Sequence, residues 1–300
     1  MLEQTTAERI NTWLVEIGAG LVPATIPEEV LDEYAAISKE VLRNQIVKAG
    51  RPIEPRTNKK LYFSEIGGGC FRKVWYKHHL PDQGKTLMAH ERIKFMYGDV
   101  TEALILALAR ASGQEVTDFQ KEVEVPLKDG WVLRGKIDAR INGILTDVKS
   151  ASSRSFQKFK DGSLADNDPF GYLWQLGGYA AALGDTTAEF LAFDKQLGHL
   201  VTYRIPEVPS KETLVAYANG LVDMIGREEP DNSTRLQPVP EGKSGNMKLC
   251  STCSYCSFAD VCWRDANGGE GLHTYLYASG PVSLVHVASV PKVPRLGRII

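Results

Sequence analysis

Residues 131–150, WVLRGKIDARINGILTDVKS, carry the side chains best spaced for chemistry. Asn142-Gly143 stands between two alternating runs rich in β-branched residues, the strongest local signal for a two-residue type I′ hairpin turn. That turn sets Ile141 opposite Ile144, Arg140 opposite Leu145, Ala139 opposite Thr146 and Asp138 opposite Asp147. Side chains alternate with period 2, so Lys149 shares a strand face with Asp147, and Lys136 falls opposite it. Two carboxylates roughly 5 Å apart at Cβ repel unless positive charge lies between them. A divalent cation bound by oxygen ligands answers that need. Asp-x-Lys alone means little, because average composition yields about one such triplet by chance in a chain this long. Mixed-charge hairpins are also common on surfaces. The flanking Ile137, Ala139, Ile141, Ile144, Thr146 and Val148 alter the weighing, since they bury the strands on at least one side.

The second cluster is sulfur. Of five cysteines, Cys250, Cys253, Cys256 and Cys262 fall in LCSTCSYCSFADVC, and Cys70 stands far upstream in GGGCFRKVWY. In a reducing compartment, clustered CxxC spacing argues for metal rather than disulfides. Spacing leaves two sites open. The four late cysteines close a local tetrahedral zinc site, or Cys70 joins three of them around an iron–sulfur cluster. Burial as small hydrophobes is a weaker alternative, because the intervening Ser, Thr and Tyr do not resemble a core strand.

Length and composition bound the rest. Three hundred residues predict one domain with elaborations. The net charge of −2 does not advertise a nucleic-acid binder, although local patches escape that measure. Basic groups gather at Arg72, Lys73, Lys77, His78 and His79, and again at Lys149, Arg154, Lys158 and Lys160; each group is either a solvated face or a phosphate contact. No apolar run is long enough to span a bilayer. The N-terminal residues lack a basic start followed by an apolar core, so no signal peptide is expected and the cytoplasm is the expected compartment.

These side chains need elements to position them. Residues 27–49 predict a helix, with proline and acids first and Gly50 as its stop. A glycine loop at 67–69 leads into a short helix over 70–79. A helix over 91–111 is apolar nearly all round in its later part, and Glu102 sits at the start of that part, a costly place for an unpaired carboxylate. Strands are expected at 120–127, 131–141, 144–150, 188–193 and 200–205, with a turn at Asp129-Gly130. Helices are expected at 170–183 and 211–225, loops at 161–169 and 230–245. Beyond Trp263 the expectation is an extra strand or an extended arm. No internal repeat is visible.

The order Glu102, Asp138, Asp147-x-Lys149 and then Gln175-x-x-x-Tyr179 resembles the PD-(D/E)XK nuclease superfamily, specifically its RecB-like exonuclease branch. Cys70-Phe-Arg-Lys-Val-Trp-Tyr before the core and Cys253-x2-Cys256-x5-Cys262 after it resemble the iron–sulfur staple of AddB-type and CRISPR-associated members, which have phage-encoded relatives. The resemblance covers about residues 64–263. Two departures stand out: Glu102 follows Gly98 where some members carry histidine, and Cys250 is surplus to the four-cysteine pattern.

The resemblance implies an α/β fold, a restriction-endonuclease-like core with a mixed central sheet flanked by helices, plus the staple. The implied organisation is a helical segment (1–60), a nuclease domain (61–265) and a tail (266–300). Glu102, Asp138, Asp147 and the Val148 carbonyl are implied ligands of Mg²⁺ or Mn²⁺. Lys149 is implied to orient the nucleophile or neutralise developing charge, and Gln175 and Tyr179 to brace the site against the DNA backbone. Cys70, Cys253, Cys256 and Cys262 would hold a 4Fe-4S cluster, with Zn²⁺ as the alternative. Arg72, Lys73, Arg154 and Lys158 are candidate phosphate contacts. The implied activity is a metal-dependent DNA exonuclease acting on single-stranded ends in phage or bacterial recombination, replication or repair, with a recombination or replication protein as possible partner and no membrane. Its alternatives are a structure-specific or restriction-like endonuclease, and a non-catalytic zinc-containing nucleic-acid-binding protein.

Overall fold

A computed structural model describes residues 4–50, 58–86 and 88–297. In chain order the elements begin with helices α1 (Thr6–Gly18) and α2 (Glu28–Gly50), strand β1 (Lys60–Tyr62), short helices α3 (Phe63–Ile66) and α4 (Phe71–His79), and helix α5 (Ala89–Ala111). Strands β2 (Val116–Thr117), β3 (Glu122–Pro126), β4 (Val132–Lys136), β5 (Ala139–Ile141) and β6 (Ile144–Ala151) follow. Next come helices α6 (Ser153–Asp161) and α7 (Tyr172–Leu183), strands β7 (Ala188–Asp194) and β8 (Leu200–Arg204), and helix α8 (Lys211–Ile225). The last part holds strands β9 (Val239–Pro240) and β10 (Met247–Lys248), short helices α9 (Ser251–Ser254) and α10 (Ala259–Cys262), and strands β11 (His273–Tyr277) and β12 (Gly280–His286).

The described residues divide into two units. Residues 4–50, 60–67 and 88–218 form one, and residues 58–59, 68–86 and 219–297 form the other. The first unit is a mixed α/β structure built on a five-stranded sheet of order β2-β5-β6-β7-β8. Only β6 and β7 run parallel, as expected where two helices, α6 and α7, form the crossover. Alternation sorts its two faces. Leu191, with Ala139, Ile141 and Val148, packs against Ile105, Leu106 and Ala109 of α5 and Ala7 and Ile10 of α1. Its neighbour Phe190 points the other way, into rings from Phe159, Tyr172 and Tyr203. Glu91 helps to start α5 by accepting the Met88 N–H at 2.7 Å.

The hairpin forms in the expected register for Ala139 with Thr146, Arg140 with Leu145 and Ile141 with Ile144; the expected pairing of Asp138 with Asp147 is corrected, because the ladder ends at Ala139. Asn142 and Gly143 both have positive φ, 50° and 80°, as a type I′ turn requires. The single strand expected over 131–141 is corrected to two. β4 belongs to a separate three-stranded sheet of order β1-β4-β3, and the chain passes between sheets at Ile137-Asp138. Lys136 therefore does not face Lys149; it pairs with Glu122 across the β3–β4 ladder, with 3.5 Å between their charged groups. The strand expected from Gln120 starts at Glu122, because Asp118 and Gln120 both take positive φ and break the extended run. Asp129 and Gly130 make the expected turn, each with positive φ.

In the second unit the region beyond Trp263 forms a β11–β12 hairpin within a sheet of order β11-β12-β10-β9. Its core joins Leu249, Cys253, Ala259, Trp263 and Val285, while Trp75 and Tyr76 of α4 pack on Phe258.

Gly135 on β4 lies against the Tyr179 ring of α7. A Cβ there would come within 2.1 Å of the Tyr179 hydroxyl and 3.1 Å of Phe63. Gly135→Ala should cost about 1–3 kcal/mol of stability through this overlap, measured by chemical denaturation. In a Tyr179→Phe background the cost should shrink, because the nearest clashing atom is gone; an unchanged penalty would assign it to the backbone alone.

Candidate functional site

The site forms where the chain leaves one sheet for the other. Asp138 lies just before the β5–β6 ladder, so its side chain is free of cross-strand pairing and turns to the next strand. Its Oδ2 accepts the Val148 N–H at 2.8 Å. Asp147, buried on β6, carries an ion pair with the Lys149 ammonium two residues along the same face. Glu102 enters from α5, the helix packed on β6, and accepts the Gln120 side-chain amide at 2.8 Å. Gln120 also donates its backbone N–H to the Asp138 carbonyl at 3.0 Å. It thus ties the helix carboxylate to the strand, a role the sequence reading missed. Its signal, positive φ at a non-glycine residue, exists only in the folded backbone.

The acids perturb one another's ionisation. Burial pushes the Glu102 carboxyl up to about 7; Asp147 adds to the rise and Lys149 opposes it. Burial likewise holds Asp138 well above the usual carboxylate range, reinforced by the charges of Asp147 and Glu102. For Lys149, burial alone would lower the pKa, but Asp147 and Asp138 outweigh it and keep the ammonium charged. The Lys149 Nζ lies 5.2 Å from the Tyr172 ring centre and 6.0 Å from that of Phe190, so aromatic faces wall the charge. Neither ring was singled out from sequence.

The structure brings Glu102, Asp138, Asp147, Val148 and Lys149 together. Tyr179, on α7, stacks on Phe63 with ring centres 4.0 Å apart. Its hydroxyl lies beside the β4 backbone at Lys136, and its pKa is raised by burial and by the charges of Asp147 and Asp138. Gln175 stands half-buried one turn earlier on the same helix. On α6, Arg154 is exposed, and Lys158 donates to the Asn167 carbonyl at 3.0 Å.

Among the described residues, no group of three or more His, Cys, Asp or Glu side chains, the cysteines included, is arranged so that it could hold a metal ion. The acids are instead turned to donors of the chain itself: Gln120, the Val148 N–H and Lys149. The donor set still fits a hard divalent cation. It consists of carboxylate oxygens, more negative than Lys149 neutralises, with burial penalising the charges of Glu102 and Asp138.

In the second unit, Cys70, Cys253, Cys256 and Cys262 line one small cavity, together with Arg72 and Lys73. Arg72 is 4% exposed. It donates to Cys262 Sγ at 3.4 Å, to the Pro230 and Asp231 carbonyls and to Asn232. The expectation that Arg72 meets DNA phosphate is corrected: its guanidinium is spent inside the unit. Lys73, half-buried, lies near the thiols of Cys70 and Cys256 and favours their charged forms. Burial pushes the Cys70, Cys253 and Cys256 thiols up.

The family model of the PD-(D/E)XK nuclease superfamily matches residues 33–263. The chain belongs to this superfamily. PD-(D/E)XK nucleases generally use Mg²⁺ or Mn²⁺. No curated protein matches the sequence. Among solved structures, SSO0001 aligns over 75% of this PD-(D/E)XK chain and 95% of its own, at 16% identity and a TM-score of 0.46. LHK-Exo, an alkaline exonuclease from Laribacter hongkongensis, aligns over 56% of this chain and 90% of its own, at 20% identity and a TM-score of 0.38. Its complex with dAMP aligns over 56% and 88%, at 18% identity and a TM-score of 0.39. Among the described residues, no helix is long and apolar enough to cross a membrane.

Glu102 gives a pH test. Its folded pKa, about 7, lies above the ordinary 4.5, so between these values the native state binds more protons than the unfolded chain. Stability should then fall as pH rises from about 5 to 7.5 in EDTA. Glu102→Gln should flatten that slope, and Mg²⁺ should offset the loss at the upper end for the wild type. Wild type and variant denaturing along parallel pH profiles would show that Glu102 does not titrate in this range.

Proposed function

We propose that the protein is a metal-dependent DNA exonuclease acting on single-stranded ends, of the RecB-like kind, in recombination, replication or repair. The observation that supports it most is the grouping of Glu102, Asp138 and Asp147 around Lys149 at the mouth of one hairpin. Glu102, Asp138 and Asp147 would hold Mg²⁺ or Mn²⁺, with the Val148 carbonyl as the remaining protein ligand that the resemblance implies. The ion would supply charge to stabilise the scissile phosphate and to acidify water. Lys149, held charged by Asp147, sits where it can orient the attacking water and meet charge as it develops. Tyr179 and Gln175 brace β4 and the hairpin from α7, and Arg154 and Lys158 on α6 are the candidate cations of this unit for the DNA backbone.

Asp138→Asn or Asp147→Asn should abolish cleavage of end-labelled single strands, while the metal-free fold is kept or slightly stabilised by the relief of repulsion. Lys149→Ala should lower kcat by orders of magnitude with little change in DNA affinity. EDTA should stop the reaction, and circular single strands should survive. Cutting of circles at the rate of linear strands would instead favour the endonuclease alternative.

The cysteines are read as the ligands of a 4Fe-4S cluster stapling α4 to the segment that carries α9 and α10. Supporting this over zinc, Cys70 joins the cavity with Cys253, Cys256 and Cys262, while Cys250 lies outside its lining, against Cys253. The cations of α4 and the Arg72 N–H to Cys262 suit a set of thiolates that burial would otherwise disfavour. Protein purified anaerobically should be brown, with iron and sulfide. Serine at Cys70, Cys253, Cys256 or Cys262 should remove the colour and much of the stability, and serine at Cys250 should do far less. A colourless protein with stoichiometric zinc that tolerates Cys70→Ser would overturn the cluster.

A further inference from the structure

The loop entering α7 carries an exposed aromatic ring outside the carboxylate cluster. Phe170 is 42% exposed. A single exposed Phe is ordinary on a protein surface, but three features set this one apart. The first is position: its ring centre lies 5.5 Å from that of Tyr172, whose own ring lies 5.2 Å from the Lys149 ammonium. The two steps span about 11 Å at most, the scale of one or two nucleotides along an extended strand.

The second is rigidity. Gly171, at φ +69°, touches Gly67 backbone to backbone, and a Cβ on Gly171 would fall 1.5 Å from the Gly67 carbonyl oxygen. Asp168 closes the turn by accepting the Leu173 N–H at 2.8 Å and, through its carbonyl, the Gly171 N–H at 3.3 Å. The backbone on both sides of Phe170 is thus fixed before any ligand arrives, so its ring needs little ordering on binding. The third is chemistry: a single ring, that of Tyr172, separates Phe170 from the Lys149 ammonium and its carboxylates, and an apolar face close to where phosphate is held is how sequence-tolerant sites take an unpaired base.

We propose that Phe170 is a specificity-determining residue: a base of single-stranded DNA stacks on its ring, one or two nucleotides from the phosphate to be cleaved at the carboxylate site, so that paired ends are used poorly. The inference rests on the nuclease reading. A base still within a duplex presents no free face to the ring, which makes strand separation part of the binding cost.

The test uses the full chain and short oligonucleotides carrying 2-aminopurine at each of the first four positions from either end, with Ca²⁺ replacing Mg²⁺ for binding. Wild type should quench the fluorophore at one position near one end. Phe170→Ala should lose that quench and raise KM for single strands by about five- to a hundredfold with kcat little changed; Phe170→Trp should keep both. Cleavage of blunt duplex should respond much less to Phe170→Ala. A wild type that cuts single strands, with Phe170→Ala giving the same quench and KM, would overturn the stacking role and leave the nuclease reading standing. A wild type that neither binds nor cuts the oligonucleotides would overturn both.

Discussion

Asp138, Asp147 and Glu102 repel one another in a pocket where Lys149 is the cation they share. Such a grouping is costly to fold, and the surrounding architecture can be understood as what holds it in place. The passage of the chain from one sheet to the other at Ile137-Asp138 frees Asp138 from cross-strand pairing. The apolar contact of α5 with β6 and its neighbours carries Glu102 to the same spot against its own charge. Gln120 and the Val148 N–H supply the neutral donors that make the group tolerable without an ion. Chemistry and stability are therefore opposed at this point, as is common at sites that bind cations.

Much of this was legible in the sequence because the hairpin is governed by local rules. The type I′ turn needs positive φ at two residues, Asn-Gly supplies them, and period 2 fixes every partner up to Ala139. Beyond Ala139 the rule fails, since nothing local marks a strand that changes sheets. The sequence reading carried the register three residues too far and set Asp138 opposite Asp147 and Lys136 opposite Lys149. What redirects β4 is tertiary: Gly135 lets Tyr179 and Phe63 close on the backbone. Gln120 was missed for the same reason, as its role depends on a backbone conformation that a glutamine does not advertise.

The cysteine unit teaches a related lesson about charge. Spacing left two cysteine sets open, the resemblance selected Cys70 with Cys253, Cys256 and Cys262, and these four line one cavity. Arg72, however, looks from sequence like a surface cation beside Lys73. Burial, four oxygen or sulfur acceptors on distant parts of the chain and the ring of Tyr76 turn it inward. A run of basic residues on a short amphipathic helix does not say which of them face solvent, and here alternate members of α4 serve different purposes.

The central claim is that the three carboxylates form one cation site. Crystals grown with Mn²⁺, with an anomalous difference map recorded at the manganese edge, test it most directly. The account predicts a peak within ligand distance of carboxylate oxygens from Glu102, Asp138 and Asp147 together, with Gln120 and Lys149 released from at least one of their present partners. A fully occupied manganese elsewhere, with the contacts of Asp138 to Val148 and Lys149 to Asp147 unaltered, would contradict it.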